Sequence, residues 1–169
     1  ILPPYNDAKE LLKEMKINKR SYFKILIVGL QSSANKSQVE ILRNYVFPEI
    51  EKNVFFDQVQ FHFIGTNQND LPKDFQNKSY VIGRGFVDDV FSEINDSDLS
   101  FSVTSNAFGF RSRLCEALSL GACILTSKFD QVSIPFLKDN YNCYIVDDLK
   151  KTGSRIIEII ENKKNNEII

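Results

Sequence analysis

The fold of this chain is indicated by the stretch Phe108-Gly109-Phe110-Arg111-Ser112-Arg113-Leu114-Cys115-Glu116-Ala117-Leu118-Ser119-Leu120-Gly121. Its pattern predicts one helix with a glycine at its entrance and a glycine at its exit. Within it, Leu114, Ala117 and Leu118 have the spacing of a single buried stripe. Apolar segments at residues 99–103 and 122–126 flank the helix, and each is typical of a buried strand. The stretch therefore predicts a strand–helix–strand unit.

The same alternation extends through the rest of the chain. Further strands are predicted at residues 23–29, 59–65, 80–83 and 143–146, and further helices at residues 8–17, 39–48, 88–95 and 149–162. Alternating strands and helices predict a Rossmann-like α/β sandwich of three layers, with a six-stranded parallel sheet and helices on both faces. We expect residues 1–22 to form a linker and an amino-terminal helix, residues 23–163 the domain, and residues 164–169 a polar tail.

Composition excludes several classes of protein. A hydrophobic fraction of 43% with 25% charged residues is that of a soluble globular domain. A net charge of −1 argues against a general nucleic-acid binder, which needs a basic surplus. No apolar run has the length of a membrane span, and the first residues do not have the pattern expected of a signal peptide. Cys115, Cys123 and Cys143 form no CxxC pair, which argues against structural zinc and predicts small buried thiols in a reducing cytoplasm.

Charged residues of the quoted helix point to an anion. Arg111 lies in the predicted first turn, beside unpaired backbone N–H groups, and Arg113 lies close behind. Cations are unfavourable at the positive end of the helix dipole, so a bound phosphate would relieve both. Glu116 is three residues from Arg113, which makes them neighbours on the helix. An ordinary amphipathic helix, with solvated arginines and an Arg113–Glu116 pair, explains the same residues and stays open.

Other candidate residues follow the predicted strands, where open α/β sheets bind their ligands. The loop after the first strand contains Lys36 but is not a Walker motif, because Asn35 replaces the required glycine. Two glycines precede Phe86 after the third strand, and this ring either offers a flat face to a ligand or packs in the core. His62, in the middle of the second strand, is interpreted as a packed or half-exposed residue rather than a catalyst. The acidic pairs at residues 88–89 and 147–148 are interpreted as helix caps.

The pattern Gly109-x-Arg111-x-Arg113-x-x-Glu116-Ala117-Leu118-x-x-Gly121, followed by Ile124-Leu125-Thr126, resembles the donor-binding segment of group 1 (family 4-like) glycosyltransferases of the GT-B type. The resemblance implies that Glu116 holds the ribose hydroxyls of a nucleotide-sugar. Many members have an earlier glutamate, which would fall at Phe108. Arg113 matches the branch with a basic residue three positions before the glutamate.

What this resemblance implies is a retaining transfer of sugar from a UDP- or GDP-sugar, without an essential metal, to a glycan or lipid-linked acceptor in polysaccharide biosynthesis. Arg111 and Arg113 would contact the diphosphate, and Lys36 would either do the same or remain a solvated lysine at a helix start. Leu30 stands where the family usually has an arginine. Phe86 would bracket the nucleobase. No catalytic residue is assigned, because the family places its reacting-centre histidine in an amino-terminal domain, which we expect to lie outside this sequence.

Further expectations concern the setting of the protein. The chain alone is expected to be an inactive fragment of a cytoplasmic enzyme, whose missing domain could associate with the inner face of the membrane. A non-catalytic nucleotide-sugar-binding module is the main alternative. A sugar-nucleotide epimerase domain of the same architecture is the third.

Overall fold

The structure is a computed structural model that describes residues 20–29, 36–106 and 111–167, with side chains up to residue 163. The predicted helix at residues 8–17 lies outside the described residues, as do Gly109, Phe108 and Leu30. The strands are β1 (Phe23–Val28), β2 (Val59–Ile64), β3 (Val81–Gly85), β4 (Leu99–Ser102), β5 (Ile124–Ser127) and β6 (Tyr144–Val146). Each of the six predicted strands is therefore confirmed to within a few residues.

All six strands are parallel and form one sheet in the order β3-β2-β1-β4-β5-β6. This order confirms the predicted Rossmann-like fold, and it reverses direction between β1 and β4. The helices are α1 (Lys36–Ile41), α2 (Phe47–Glu51), α3 (Lys73–Gln76), α4 (Val90–Asn95), α5 (Ser112–Ser119) and α6 (Thr152–Glu167).

Two apolar clusters cover the two faces of the sheet. Because successive strand residues point to opposite faces, Ile25 and Ile27 of β1 pack with α1, α2, α3 and α6, whereas Leu26 packs with α4 and α5. The quoted helix is shorter than its pattern predicted, since it begins at Ser112. It ends as predicted, where Gly121 has a φ of 68° and lets the chain leave the helix.

The sequence predicted that the helix after β1 ends at Pro48. This boundary is wrong, because helical structure continues beyond the proline. A π-helical turn (Leu42–Val46) connects α1 to α2, and the Phe47 N–H donates to the carbonyl of Leu42, five residues back. Proline has no N–H to donate and its ring clashes with the carbonyl four residues earlier, so a regular helix would break there. The wider turn accommodates Pro48 in the first turn of α2, and helical structure continues to Glu51.

A buried lysine holds α4 against the amino end of β1. The Lys24 ammonium lies 2.8 Å from a carboxylate oxygen of Glu93 and 2.8 Å from one of Asp96. Asp98 accepts a hydrogen bond from the Lys24 backbone N–H at 2.7 Å and pairs with Arg20 at 3.1 Å. These charges occupy the edge of the sheet opposite to the strand exits.

His62 is buried in β2 with 3% of its surface exposed, so it is packed rather than half-exposed. Its Nε2 lies 3.0 Å from the Gln60 side-chain oxygen, and its ring stacks on Tyr22 at 5.9 Å between centroids. Burial, reinforced by the positive charges of Lys24 and Arg84, lowers the pKa of His62 to about 4. The folded protein therefore keeps this ring neutral at pH values where an unfolded chain protonates it.

We expect His62 to make the fold sensitive to acid. Between pH 6.5 and 4 the unfolded state binds the proton more readily, so the free energy of unfolding falls as the pH falls. Allowing for screening by nearby charges, this loss amounts to about 1–2 kcal/mol. The measurement compares the free energy of unfolding at pH 7 and 4.5 for wild type and His62→Gln. Carboxylates titrate in both proteins, so equal losses in the two would contradict the assignment.

Gly153, in the first turn of α6, is expected to resist replacement by alanine. A Cβ at this position would lie 2.3 Å from the Tyr45 carbonyl oxygen and 2.7 Å from Cβ of Glu49. Alanine normally favours a helix over glycine by about 1 kcal/mol, but this overlap should instead destabilise the protein by about 1–3 kcal/mol. Denaturant unfolding of Gly153→Ala measures the change, with Ser154→Ala, at the exposed neighbouring position, as control. A Gly153→Ala protein as stable as wild type would show that α6 does not approach α2 so closely.

Candidate functional site

The candidate site lies at the edge where the strands end. Gly29 follows β1 with a φ of 75°, and α1 then begins at the exposed Lys36. Ser37 accepts a hydrogen bond from the backbone N–H of Ser105 at 3.2 Å. This bond joins the start of α1 to the loop after β4, so Lys36 lies at the point where strand order reverses.

Arg111 occupies the residue before α5 and is buried, although the sequence predicted it in the first helical turn. Its Nε lies 3.2 Å from Oδ1 of Asp130, and its Nη2 donates to the carbonyl of Ser102 at 3.4 Å. Since Ser102 ends β4 and Asp130 follows β5, the guanidinium lies between the exits of these strands. The anion beside Arg111 in this structure is thus a carboxylate of the protein itself.

Asp130 is a site residue that the sequence reasoning missed. It has no exposed surface, and its Oδ2 accepts hydrogen bonds from Oγ1 of Thr126 at 2.6 Å and Oγ of Ser127 at 3.2 Å. Ser127 and Asp130 form a capping box around a short 3-10 helix (Lys128–Val132). The available signal was the Ser127-x-x-Asp130 spacing directly after a strand, which is the pattern of such a cap.

Arg113 and Glu116 lie on the outer side of α5 and form the predicted pair. The Arg113 Nη1 is 2.6 Å from a Glu116 carboxylate oxygen, with 56% and 29% of the two side chains exposed. An ion pair this exposed contributes only about 0–1 kcal/mol to folding, so a ligand could displace either partner at small cost.

Phe86 follows β3 with 87% of its surface exposed, and its predicted alternative place in the core is wrong. The two glycines before Phe86 are explained by close contacts within the protein rather than by a ligand. A Cβ at Gly83 would lie 2.5 Å from the backbone nitrogen of Gln68, and Gly85 has a φ of 67° beside the side chain of Asn67. Phe86 is separated from β4 by β2 and β1, whereas Lys36, Arg111, Arg113 and Glu116 follow β1 and β4 directly.

The three cysteines do not behave alike. Cys143 is buried and Cys115 is partly buried, but Cys123 is exposed, so the prediction of three buried thiols is wrong for this residue. Cys123 directly precedes β5 and lines a groove of about 570 Å³ with Tyr141 and Tyr144. This groove is at the amino ends of β5 and β6 and is remote from the strand exits.

Two features are absent from the parts of the chain that the structure describes. Residues 20–29, 36–106 and 111–167 contain no group of three His, Cys, Asp or Glu side chains that could hold a metal ion. Within the same ranges, no helix has the length and apolar character needed to cross a membrane.

Comparison with known proteins places this Rossmann-like domain in a family. Residues 22–162 match the family described as "Glycosyl transferases group 1". The chain therefore belongs to the group 1 glycosyltransferases, as its resemblance predicted. None of the curated proteins compared with the chain matches it.

Several solved structures share the fold. HepE from Anabaena, in complex with UDP and glucose, aligns with a TM-score of 0.62 and 14% identity over 96% of this chain and 44% of its own. TarM aligns with a TM-score of 0.65 and 15% identity, over 85% and 29% of the two chains. WaaG, a glycosyltransferase involved in lipopolysaccharide biosynthesis, aligns with a TM-score of 0.58 and 12% identity, over 92% and 42%. These structures confirm the GT-B architecture, and the chain spans less than half the length of each.

The two arginines of the site should differ sharply in their effect on folding. Arg111→Gln leaves the buried Asp130 carboxylate without its cation, which should cost about 3 kcal/mol of unfolding free energy. Arg113→Gln removes an exposed pair and should cost less than about 1 kcal/mol. Chemical denaturation of both variants measures the difference. Similar small losses for both would mean that Arg111 and Asp130 are not paired in solution.

Proposed function

We propose that the chain is the donor-binding half of a retaining glycosyltransferase and that it binds a nucleoside-diphosphate sugar at the exits of β1 and β4. The observation that carries the proposal is the placement of the start of α5, with exposed Arg113 and partly exposed Glu116, at the point where strand order reverses. Ligands of open α/β sheets bind in this crevice. The complex of HepE with UDP and glucose supports the choice of ligand class.

Each predicted site residue that the structure describes then has a role. Lys36 and Arg113 contact the diphosphate together with the free N–H groups at the start of α5. Arg111 lies behind them, between the exits of β4 and β5. Glu116 turns from Arg113 to accept hydrogen bonds from the ribose hydroxyls. Phe86, which follows β3, offers its exposed ring to the nucleobase.

The chemistry that these groups can perform is stabilisation of the departing diphosphate. Negative charge grows on the phosphate oxygens as the bond to the sugar breaks, and fixed cations and backbone N–H groups lower the energy of that state. Each charge-assisted contact contributes about 1.5–3 kcal/mol. We propose that the acceptor, a glycan or lipid-linked sugar, binds to an amino-terminal half. The isolated chain would then transfer no sugar.

A non-catalytic donor-type module is the second candidate. Both arginines already have a carboxylate partner in the structure, Asp130 for Arg111 and Glu116 for Arg113. Such internal pairing is what a degenerate site would retain after losing its ligand. Absence of nucleotide binding by the full chain would favour this candidate.

Glu116→Gln tests the proposed donor site directly. Calorimetry with UDP should show a five- to thirty-fold loss of affinity, because about 1–2 kcal/mol of ribose hydrogen bonding is lost. Wild type should bind UDP more tightly than 2′-deoxy-UDP, and the variant should lose most of this preference. Glu158→Gln is the matched control, since Glu158 forms the same kind of pair with Arg155, at 2.6 Å, on α6.

Two outcomes would contradict the proposed donor site. If Glu116→Gln discriminates between the two nucleotides as wild type does, Glu116 does not bind the ribose and the proposed function loses its main support. If uridine and UDP bind with equal affinity, the proposed contacts between the cations and the diphosphate are wrong.

A further inference from the structure

We infer that Asp130 is a built-in counter-anion of the donor site, which neutralises Arg111 and leaves the charge of a bound diphosphate to be met by Lys36 and Arg113. The location of the diphosphate rests on the proposed function. The neutralised pair rests on geometry alone, because Arg111 Nε and Asp130 Oδ1 are 3.2 Å apart and the two side chains are 8% and 0% exposed.

Asp130 is fixed in place independently of Arg111. Its second oxygen accepts hydrogen bonds from Thr126 and Ser127, and these residues end β5. The carboxylate therefore cannot swing away when an anion arrives. A ligand phosphate that reached Arg111 would approach a fixed negative charge at the same time.

The position of the Arg111–Asp130 pair makes repulsion between Asp130 and a bound phosphate large enough to affect affinity. Arg111 directly precedes α5 and its Nε contacts Asp130, so the carboxylate lies within the length of one arginine side chain from the helix start that would receive the phosphates. A unit negative charge about 7 Å from a bound anion lowers its affinity by at least about tenfold at the effective dielectric of a partly buried site. Asp130 thus offsets one of the three cations Lys36, Arg111 and Arg113.

The consequence for the proposed reaction is weak retention of the free diphosphate. A site with three uncompensated cations would hold a nucleoside diphosphate tightly after the sugar has left. With Arg111 neutralised, affinity depends on the ribose and base contacts as well, and the product can dissociate. Asp130 thus sets the affinity for the diphosphate without touching it.

Inorganic pyrophosphate and UDP are the probes, and Asp130→Asn in the full chain is the first variant. Asparagine has nearly the same shape but no charge, so pyrophosphate should bind at least about tenfold more tightly, while uridine binding stays unchanged. Asp74→Asn is the matched control, because Asp74 pairs with Arg43 at 2.7 Å on the exposed surface of α3. Its pyrophosphate affinity should stay within about twofold of wild type.

If Asp130→Asn does not fold, a second variant tests whether Arg111 is neutralised by Asp130 or contacts the phosphates. Arg111→Met combined with Asp130→Leu replaces the buried pair by apolar side chains, a change that proteins often tolerate. Since the pair carries no net charge, the double variant should bind pyrophosphate within about threefold of wild type. A loss of tenfold or more would show that Arg111 contacts the phosphates, and it would overturn the inference.

The remaining outcomes separate this inference from the proposed function. If wild type binds UDP but Asp130→Asn binds pyrophosphate no more tightly, the inference fails and the donor site stands. If Asp130→Asn tightens pyrophosphate binding while Glu116→Gln leaves ribose discrimination intact, the counter-anion is supported and the ribose assignment fails. If neither wild type nor any variant binds pyrophosphate or UDP, both fail.

Discussion

All six strands run parallel, and this constraint determines where everything else lies. Parallel strands need a crossover between each pair, so helices must cover both faces of the sheet. Every strand then ends at the same edge. At that edge lie Lys36, Phe86, Arg111 and Asp130, which follow β1, β3, β4 and β5 respectively. The opposite edge is closed near β1 by the ion pairs of the buried Lys24. Residues far apart in sequence thus share one site without any local signal that joins them.

Much of this fold could be predicted because its signals are local. Short runs of apolar residues identify the strands, and Gly121 marks the end of α5 by allowing a left-handed backbone. The exposed Arg113–Glu116 pair follows directly from helical spacing. The helix after β1 was predicted to stop at Pro48, because proline normally breaks a helix. Whether a π-helical turn absorbs it depends on packing against α6, and no local rule contains that information.

The site was less predictable, because its geometry depends on contacts between elements. Asp130 is nineteen residues beyond Arg111 in the chain, and only the neighbouring positions of β4 and β5 bring the two together. The exposure of Cys123 has a similar origin. Its apolar neighbours predict burial, but the thiol is exposed and lines the groove at the amino ends of β5 and β6. In both cases the sequence gives only the residue and its neighbours along the chain. Which groups contact its side chain depends on the tertiary structure.

The two arginines at the start of α5 show how this limit acts on function. Arg111 precedes the helix with a φ of −90° and a ψ of 68°, so helical spacing does not set the direction of its side chain. Arg113 lies in the first turn and is exposed, whereas Arg111 is buried, so the two guanidinium groups have different surroundings. The structure places Arg111 inward, where burial demands a carboxylate partner, and Arg113 outward, where its pairing with Glu116 costs little to break. The inner arginine therefore fixes the start of α5 against β4 and β5, and the outer one remains available to a ligand.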